Sequence, residues 1–400
     1  MRGIYADYAA GAPLRPAARR VLDDALASGA GNASSVHWAG ARARALLESA
    51  REEVAAAIGA HPLEIVFTSG ATEANNLVLA GVAAAAAGRR LRIAVPATEH
   101  ASVLRTAEAL ARRGHDLRVL PVGADGRTDP TAVAAAAPDL LSVALVNAET
   151  GVVQACTALA AAARRSGARV HVDAAQAAAV LTLDVRGLDC DLVTLSGHKL
   201  GAPTGTGALY VREGTPLAPL QHGGAQERGL RPGTENAAAL AAFAAAFAAA
   251  RAALPEEAAR LAALVTHLQR EIATLAPDAR VAGEAAGATS AAAAASPVPR
   301  APHILDVGFA DLDGESLVSA LDLEGVAVSA GSACAAGASE PSHVLQAMGW
   351  SRAAAASAVR FSFGWASTAA DVAAILAVLP RILARARARR TENAWPAHAS

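Results

Sequence analysis

From about residue 16 to residue 250, short aliphatic runs alternate with longer Ala/Leu/Arg stretches of helical spacing. Residues 65–67, 91–95, 117–122, 141–146, 169–172, 192–195 and 208–211 are rich in β-branched or aliphatic side chains. Each run is bounded by Gly, Pro or polar turn residues, which predicts a strand. Between them, segments such as 39–58 and 102–113 repeat apolar residues every three or four positions, which predicts amphipathic helices. Strands alternating with helices imply an α/β fold: a largely parallel sheet covered on both faces. Further on, the pattern predicts a long helix from Pro255, with Leu261, Leu264, Leu268, Ile272 and Leu275 on one face. Residues 283–302 read as a long loop. A strand at 304–309, a helix at 314–323, a strand at 326–329 and a late helical stretch then form a smaller α+β unit. The expected division is a large domain at 13–253, a small one from 1–12 and 254–388, and a disordered tail at 389–400, fraying from about Arg385.

Composition narrows the picture a little. The 400 residues are 53% hydrophobic and 18% charged, suiting a globular chain, but alanine supplies much of the apolar content and favours helix over bulky core. A net charge of -1 offers no electrostatic reason to expect nucleic acid or an acidic membrane as partner. The opening Met-Arg-Gly-Ile-Tyr-Ala-Asp-Tyr has no apolar stretch of signal type, and the Ala-rich run 239–250 is too short to span a bilayer. Cys156, Cys190 and Cys334 are widely spread with no metal-ligand spacing, so neither a disulfide framework nor a metal site is expected. A cytoplasmic protein follows from these readings.

Candidate chemistry sits at strand ends. Ser196-Gly-His-Lys199 directly follows the run 192–195 and leads into a Gly/Pro-rich loop, at the mouth of the sheet where α/β proteins bind ligands. An arbitrary lysine is usually an exposed loop charge. Lysine is otherwise absent from this Arg-rich chain, which sets Lys199 apart, and lysine can form a Schiff base with an aldehyde cofactor. Asp173 closes the run 169–172, a poor place for an unpaired carboxylate. It would suit a protonated pyridine nitrogen, or equally the cap of a following helix. Ser69-Gly-Ala71-Thr72-Glu73 opens a helix, whose first amides and Thr72 hydroxyl could cradle a phosphate. Cys334 lies among Gly, Ser and Ala, where a thiolate has room to react; a lone cysteine is otherwise most often a small buried hydrophobe.

Taken in order, these stretches resemble the cysteine desulfurases of the NifS/IscS type, class-V aminotransferases within the fold-type I PLP (pyridoxal 5'-phosphate) enzymes. The matching segments are Asp7-Tyr8, residues 31–37 (Gly-Asn-Ala-Ser-Ser-Val-His), 67–73, 98–100 (Thr-Glu-His), 149–154, 171–176, 196–199, 227–236, 329–334 (Ser-Ala-Gly-Ser-Ala-Cys), 340–342 and 360–364. The resemblance implies that Lys199 carries PLP and shuttles protons, Asp173 pairs with the pyridine nitrogen and Gln176 contacts the ring hydroxyl. It gives Ala71, Thr72, Ser196 and His198 to the phosphate, with Thr234 reaching that of a neighbouring subunit in a homodimer with shared active sites. His100 is a stacking acid/base near the substrate thiol, though alone it reads as a capping residue. Arg360 and Asn32 fall to substrate binding, Arg360 clamping the carboxylate with its planar fork. Cys334 takes sulfur from L-cysteine as a persulfide and passes it to an acceptor protein for iron–sulfur, thio-cofactor or tRNA biosynthesis.

Three positions depart from the family pattern. Asn147-Ala148-Glu149 stands for Asn-Asn-Glu, Ala202-Pro-Thr-Gly205 for Gly-Pro-Lys-Gly, and Asp7-Tyr-Ala-Ala-Gly-Ala-Pro13 for a motif ending Ala-Thr-Thr-Pro. Gln176 or a shifted Asn147 could replace the missing amide. Other class-V reactions (transamination, selenocysteine lysis, β-elimination) and a degenerate sulfur-transfer scaffold are the rival readings.

Overall fold

A computed structural model describes residues 3–29, 31–284, 299–330 and 340–393. Strands β1 to β8 are Ile4–Tyr5, Ile65–Thr68, Arg92–Pro96, Asp116–Leu120, Leu140–Ala144, Arg169–Asp173, Leu192–Ser196 and Gly207–Val211. β9 to β13 are Arg280–Val281, Ile304–Gly308, Val326–Ala327, Ser329–Ala330 and Ala358–Ser362. Helices α1 to α6 are Pro16–Ala27, Trp38–Ile58, Ala71–Ala85, Ala101–Arg112, Pro130–Ala136 and Cys156–Arg164. α7 to α12 are Gly197–Leu200, Ala237–Leu275, Gly314–Leu323, His343–Ala347, Arg352–Ala356 and Ala369–Asn393.

All seven aliphatic runs become strands of one sheet, in the order β2-β8-β7-β6-β5-β3-β4. Only β8 runs against the rest, pairing antiparallel with both β2 and β7. Its central strands β5 and β7 are buried at every residue, which is why they read as unbroken aliphatic runs rather than alternating ones. A four-stranded antiparallel sheet, β12-β13-β10-β9, and a parallel pair, β1-β11, form the smaller α+β part. Residues 326–329, expected as one strand, divide between these two sheets: Val326–Ala327 pairs with β1, and Ser329–Ala330 with β13.

The long helix begins earlier than Pro255. α8 starts at Ala237, capped by the Asn236 side chain, and runs through Pro255 to Leu275. Proline lacks an amide to give the Arg251 carbonyl, yet the helix continues because both halves are buried. The helix packs along α1 and α2, its Ala-rich first half is largely buried, and Leu261, Leu264, Leu268 and Ile272 are buried in the second. Leu275 is only half-buried. α8 is long and apolar enough to cross a bilayer by length and composition, but 61% of its most apolar stretch is covered by the rest of the chain. The C-terminal end also differs from expectation. α12 continues past Arg385 to Asn393, taking in residues 389–393, and Arg381 with Glu324 and Arg387 with Asp278 tie it down.

A buried ion pair fastens the 226–236 loop to the large sheet. Arg51 donates from Nη1 and Nη2 to the Glu227 carboxylate, both at 2.8 Å, and the Phe67 amide donates to the same carboxylate at 2.8 Å. These bonds hold Glu227 and Arg228 in left-handed backbone conformations, at φ 49° and 57°, that cost energy without a glycine. Glu227→Ala leaves the buried Arg51 guanidinium with only the half-exposed Glu48 and the Ile65 carbonyl, and is expected to cost about 3 kcal/mol, read as a lower urea midpoint.

Candidate functional site

Because β2, β3, β5, β6 and β7 run the same way, their carboxyl ends share one edge of the sheet, where an open α/β fold binds ligands. β7 delivers Ser196 there, and the chain turns at once into the single-turn α7 that carries Lys199. Gly197 cannot hold a larger side chain, since an added Cβ would lie 2.1 Å from Thr206 Oγ1. Lys199 Nζ donates to the Ala9 carbonyl and, at 3.0 Å, to that of Ala10. Gln176 Nε2 donates to the same Ala9 carbonyl at 2.6 Å, so lysine and glutamine meet at one atom. The Ala9 amide is in turn held by Ser362 Oγ at 2.9 Å, which brings the N-terminal segment and the smaller sheet to the lysine. Ser196 Oγ and His198 Nδ1 lie 3.0 Å apart; burial, helped by the Lys199 charge, pulls the His198 pKa down to about 4 and keeps the ring neutral.

β6 delivers Asp173, which is 6% exposed. Its Oδ1 accepts from the Ala175 amide at 2.9 Å and its Oδ2 from Asn75 Nδ2 at 2.7 Å. Among the described residues, no ion pair reaches it. Asn75 also donates to Ser102 Oγ at 2.9 Å, and Ser102 Oγ lies 2.7 Å from His100 Nδ1. His100 is therefore both a helix cap, accepting from the Ser102 amide at 3.0 Å, and a rim residue of the site. Its ring has an exposed edge, yet surrounding protein desolvates it enough to lower its pKa; Asp173 opposes the shift, and Lys199 and His343 add to it. Beside it Glu99 is buried, with Oε1 accepting from the Ala144 amide at 2.8 Å, and burial pushes its pKa well above the usual range.

The helix start expected to face a phosphate is present. α3 begins at Ala71, after Gly70 at φ 148°, and its first amides have no carbonyl within the helix. A Cβ on Gly207 would come within 2.6 Å of the Gly70 Cα, so only glycine lets β8 lie this close to the turn. Thr72 is exposed at that turn, as is Thr234 in its loop. Asn32 is exposed too; its Oδ1 accepts from the Ser34 amide at 2.9 Å in a local turn. None of the described hydrogen bonds joins Thr234 or Asn32 to the Lys199 and Asp173 group.

Arg360, on β13, is 5% exposed. Nη2 donates to Asp7 Oδ1 at 2.9 Å and Nη1 to the Ala148 carbonyl at 3.0 Å, while Nε has no hydrogen-bond partner among the described residues. Two carboxyls stand near it, Asp306 buried and Glu149 partly so. Burial raises the pKa of Glu149 to about 7 against the pull of Ser342 and Arg360. Asp306, opposite Arg360 in the ladder, is likewise raised to about 7 by burial and by Glu149, against the pull of Arg360 and Arg300. Asn147 does not shift to cover the Ala148 position. Its Nδ2 donates to the Thr98 carbonyl at 2.9 Å, and its Oδ1 accepts from the Glu149 and Thr150 amides, so it is spent on its own turn.

Cys334 lies outside the described residues. Cys156 and Cys190 are buried, and burial pushes both thiol pKa values up, that of Cys190 to about 12. Asn75, Ser102, Glu149, Asp306 and Asp7 carry no role in the sequence reading. Asn75 left a trace: it is polar on the α3 face that also buries Ala74, Leu77 and Val78.

The family model for class-V aminotransferases matches residues 4–375. The chain is 36% identical to a cysteine desulfurase IscS of Dictyoglomus turgidum over 389 residues, 96% of each chain. It is similar to a solved NifS-like protein at 30% identity and TM-score 0.86, covering 96% of this chain and 100% of that one. It is also similar to SspA in complex with cysteine, at 31% identity and TM-score 0.77, covering 90% and 98%.

Proposed function

The chain belongs to the aminotransferase class-V family, and on that premise we propose that it is a PLP-dependent cysteine desulfurase that forms L-alanine and carries sulfur as a persulfide on Cys334. The observation that carries this reading is the meeting of Lys199, Gln176, Asp173 and the His100 rim at one sheet edge. The Dictyoglomus relative bears the name cysteine desulfurase and the SspA structure holds cysteine, which supports L-cysteine as substrate.

The residues fit the cofactor. Asp173 is a buried acid without a described cationic side chain, which a protonated pyridine nitrogen would satisfy. Lys199 would bind the aldehyde, Gln176 the ring hydroxyl, and the α3 start at Ala71 and Thr72 the phosphate, together with Ser196 and His198. When bound, the cofactor would supply an aldehyde for the substrate amine and an electron sink for Cα. Arg360 would orient the substrate carboxylate, and its Nε has no hydrogen-bond partner among the described residues. The Cys334 thiolate forms an S–S bond with the substrate sulfur as its C–S bond breaks; the carbon side keeps the electron pair, takes a proton and leaves as alanine. The second sulfur then passes to an acceptor protein.

By family analogy Thr234, exposed in its loop, would reach the phosphate of a neighbouring subunit in a homodimer with shared active sites, and Asn32 would contact substrate. We assign residues 13–253 to the large domain and 1–12 with 254–388 to the small one, and place the chain in the cytoplasm in iron–sulfur or thio-cofactor assembly. Product analysis decides among class-V reactions. With L-cysteine and a reductant, holoenzyme is expected to form alanine and sulfide in equal amounts. Pyruvate with ammonia would mark β-elimination, and a sulfur-bearing keto acid transamination; either would overturn the reading.

A further inference from the structure

We propose that Asn75 and Ser102 are positioning residues that hold His100 in its Nε2–H tautomer, so that the histidine meets substrate as a hydrogen-bond donor and not as a base. The inference rests on the desulfurase reading of the site. It begins at Asp173, whose carboxylate offers Asn75 only lone pairs. The amide atom 2.7 Å from Oδ2 is therefore the NH2 group, and the assignment of that amide is forced by its partner. The second N–H of the same group points at Ser102 Oγ, 2.9 Å away. Having accepted there, the serine hydroxyl directs its one proton to His100 Nδ1 at 2.7 Å. The Ser102 backbone amide reaches the same nitrogen at 3.0 Å. With two donors converging on it, Nδ1 holds a lone pair, and a neutral ring carries its proton on Nε2.

The surroundings favour that neutral ring. Asp173, Lys199 and His343 are the charged or titratable groups that act on it. Burial lowers its pKa, Lys199 and His343 push the same way, and Asp173 alone opposes them. A proton could enter at Nδ1 only if both Ser102 donors turned away. The lone pair a general base needs is thus covered by the α4 cap, and the remaining ring nitrogen offers an N–H. Thr106 Oγ1 lies 2.8 Å from the Ser102 carbonyl and 2.9 Å from Asn76 Oδ1, its one proton serving either acceptor.

The test uses full-length holoenzyme labelled with 15N-histidine, the His100 signals being assigned by their loss in His100→Gln. Near neutral pH the expected spectrum shows an unprotonated Nδ1 and a protonated Nε2. Ser102→Ala removes a bond available only to the neutral ring, so the His100 titration midpoint should rise by about one pH unit. Asn75→Ala should move it the same way, because the serine proton is then free to turn. A protonated Nδ1 in the wild type, or a midpoint unmoved in Ser102→Ala, would overturn the proposal; the wild-type spectrum decides even if a variant does not fold. Kinetics give a second arm. Glutamine keeps an N–H donor but no base, so His100→Gln should retain kcat about tenfold above His100→Ala. Equal kcat in the two variants would mark a base. Absence of desulfuration in the wild type would sink the functional reading while leaving the tautomer result standing.

Discussion

Cys334→Ala is expected to lower sulfide release from L-cysteine by about 10³-fold or more, with the visible absorbance of bound PLP unchanged. The two effects separate because cofactor binding falls to Lys199 and Asp173, on β7's turn and at β6's end, whereas Cys334 enters only at sulfur transfer. Neither other cysteine can substitute. Burial pushes the Cys190 thiol pKa up to about 12, which keeps it protonated at pH 8, and Cys156 is shifted in the same direction within the core. Sulfide release at the wild-type rate from the alanine variant would assign the sulfur acceptor elsewhere.

Lys199→Ala is expected to produce a loss at least as large, of about 10³-fold or more, together with loss of the covalently bound cofactor. The fold should survive it. Among the described contacts, the lysine gives the resting protein hydrogen bonds to the Ala9 and Ala10 carbonyls at the site's rim, and Gln176 still holds Ala9. Thermal unfolding should therefore move little while absorbance and turnover vanish. Lys199→Arg should not restore either, because guanidinium is not a nucleophile toward an aldehyde. Retained covalent cofactor in the alanine variant would mean another amine carries it.

The large sheet was legible because its strands are short, aliphatic and walled on both sides, so each run announces itself without knowledge of its neighbours. The errors arose where distant packing overrode a local signal. Pro255 reads as a helix start, but burial against α1 and α2 carries α8 through it. Residues 326–329 read as one strand, but β1 claims one half and β13 the other. Arg385 onward reads as a loose tail, but Asp278 supplies an ion-pair partner more than a hundred residues away in the chain.

The site divides in the same manner. Lys199 and Asp173 stand at strand ends, a place recognisable from sequence, and the fold brings them to one edge together with Gln176 and His100. Asn75, Ser102, Glu149 and Asp306 matter through partners set by tertiary packing: a carboxylate on another strand, a ring on another helix, a ladder neighbour. Arg360 stands where a substrate clamp was expected, but Asp7 and the Ala148 carbonyl already occupy two of its nitrogens. Substrate binding at Arg360 would thus exchange an internal carboxylate for an external one.

The central claim is that Cys334 receives the sulfur. Holoenzyme given L-cysteine without reductant, then alkylated, digested and analysed by mass spectrometry, should show the peptide containing Cys334 heavier by one sulfur atom, with alanine formed in the same amount. Alanine and sulfide formed with that peptide unmodified, or the extra sulfur on Cys156 or Cys190, would contradict it.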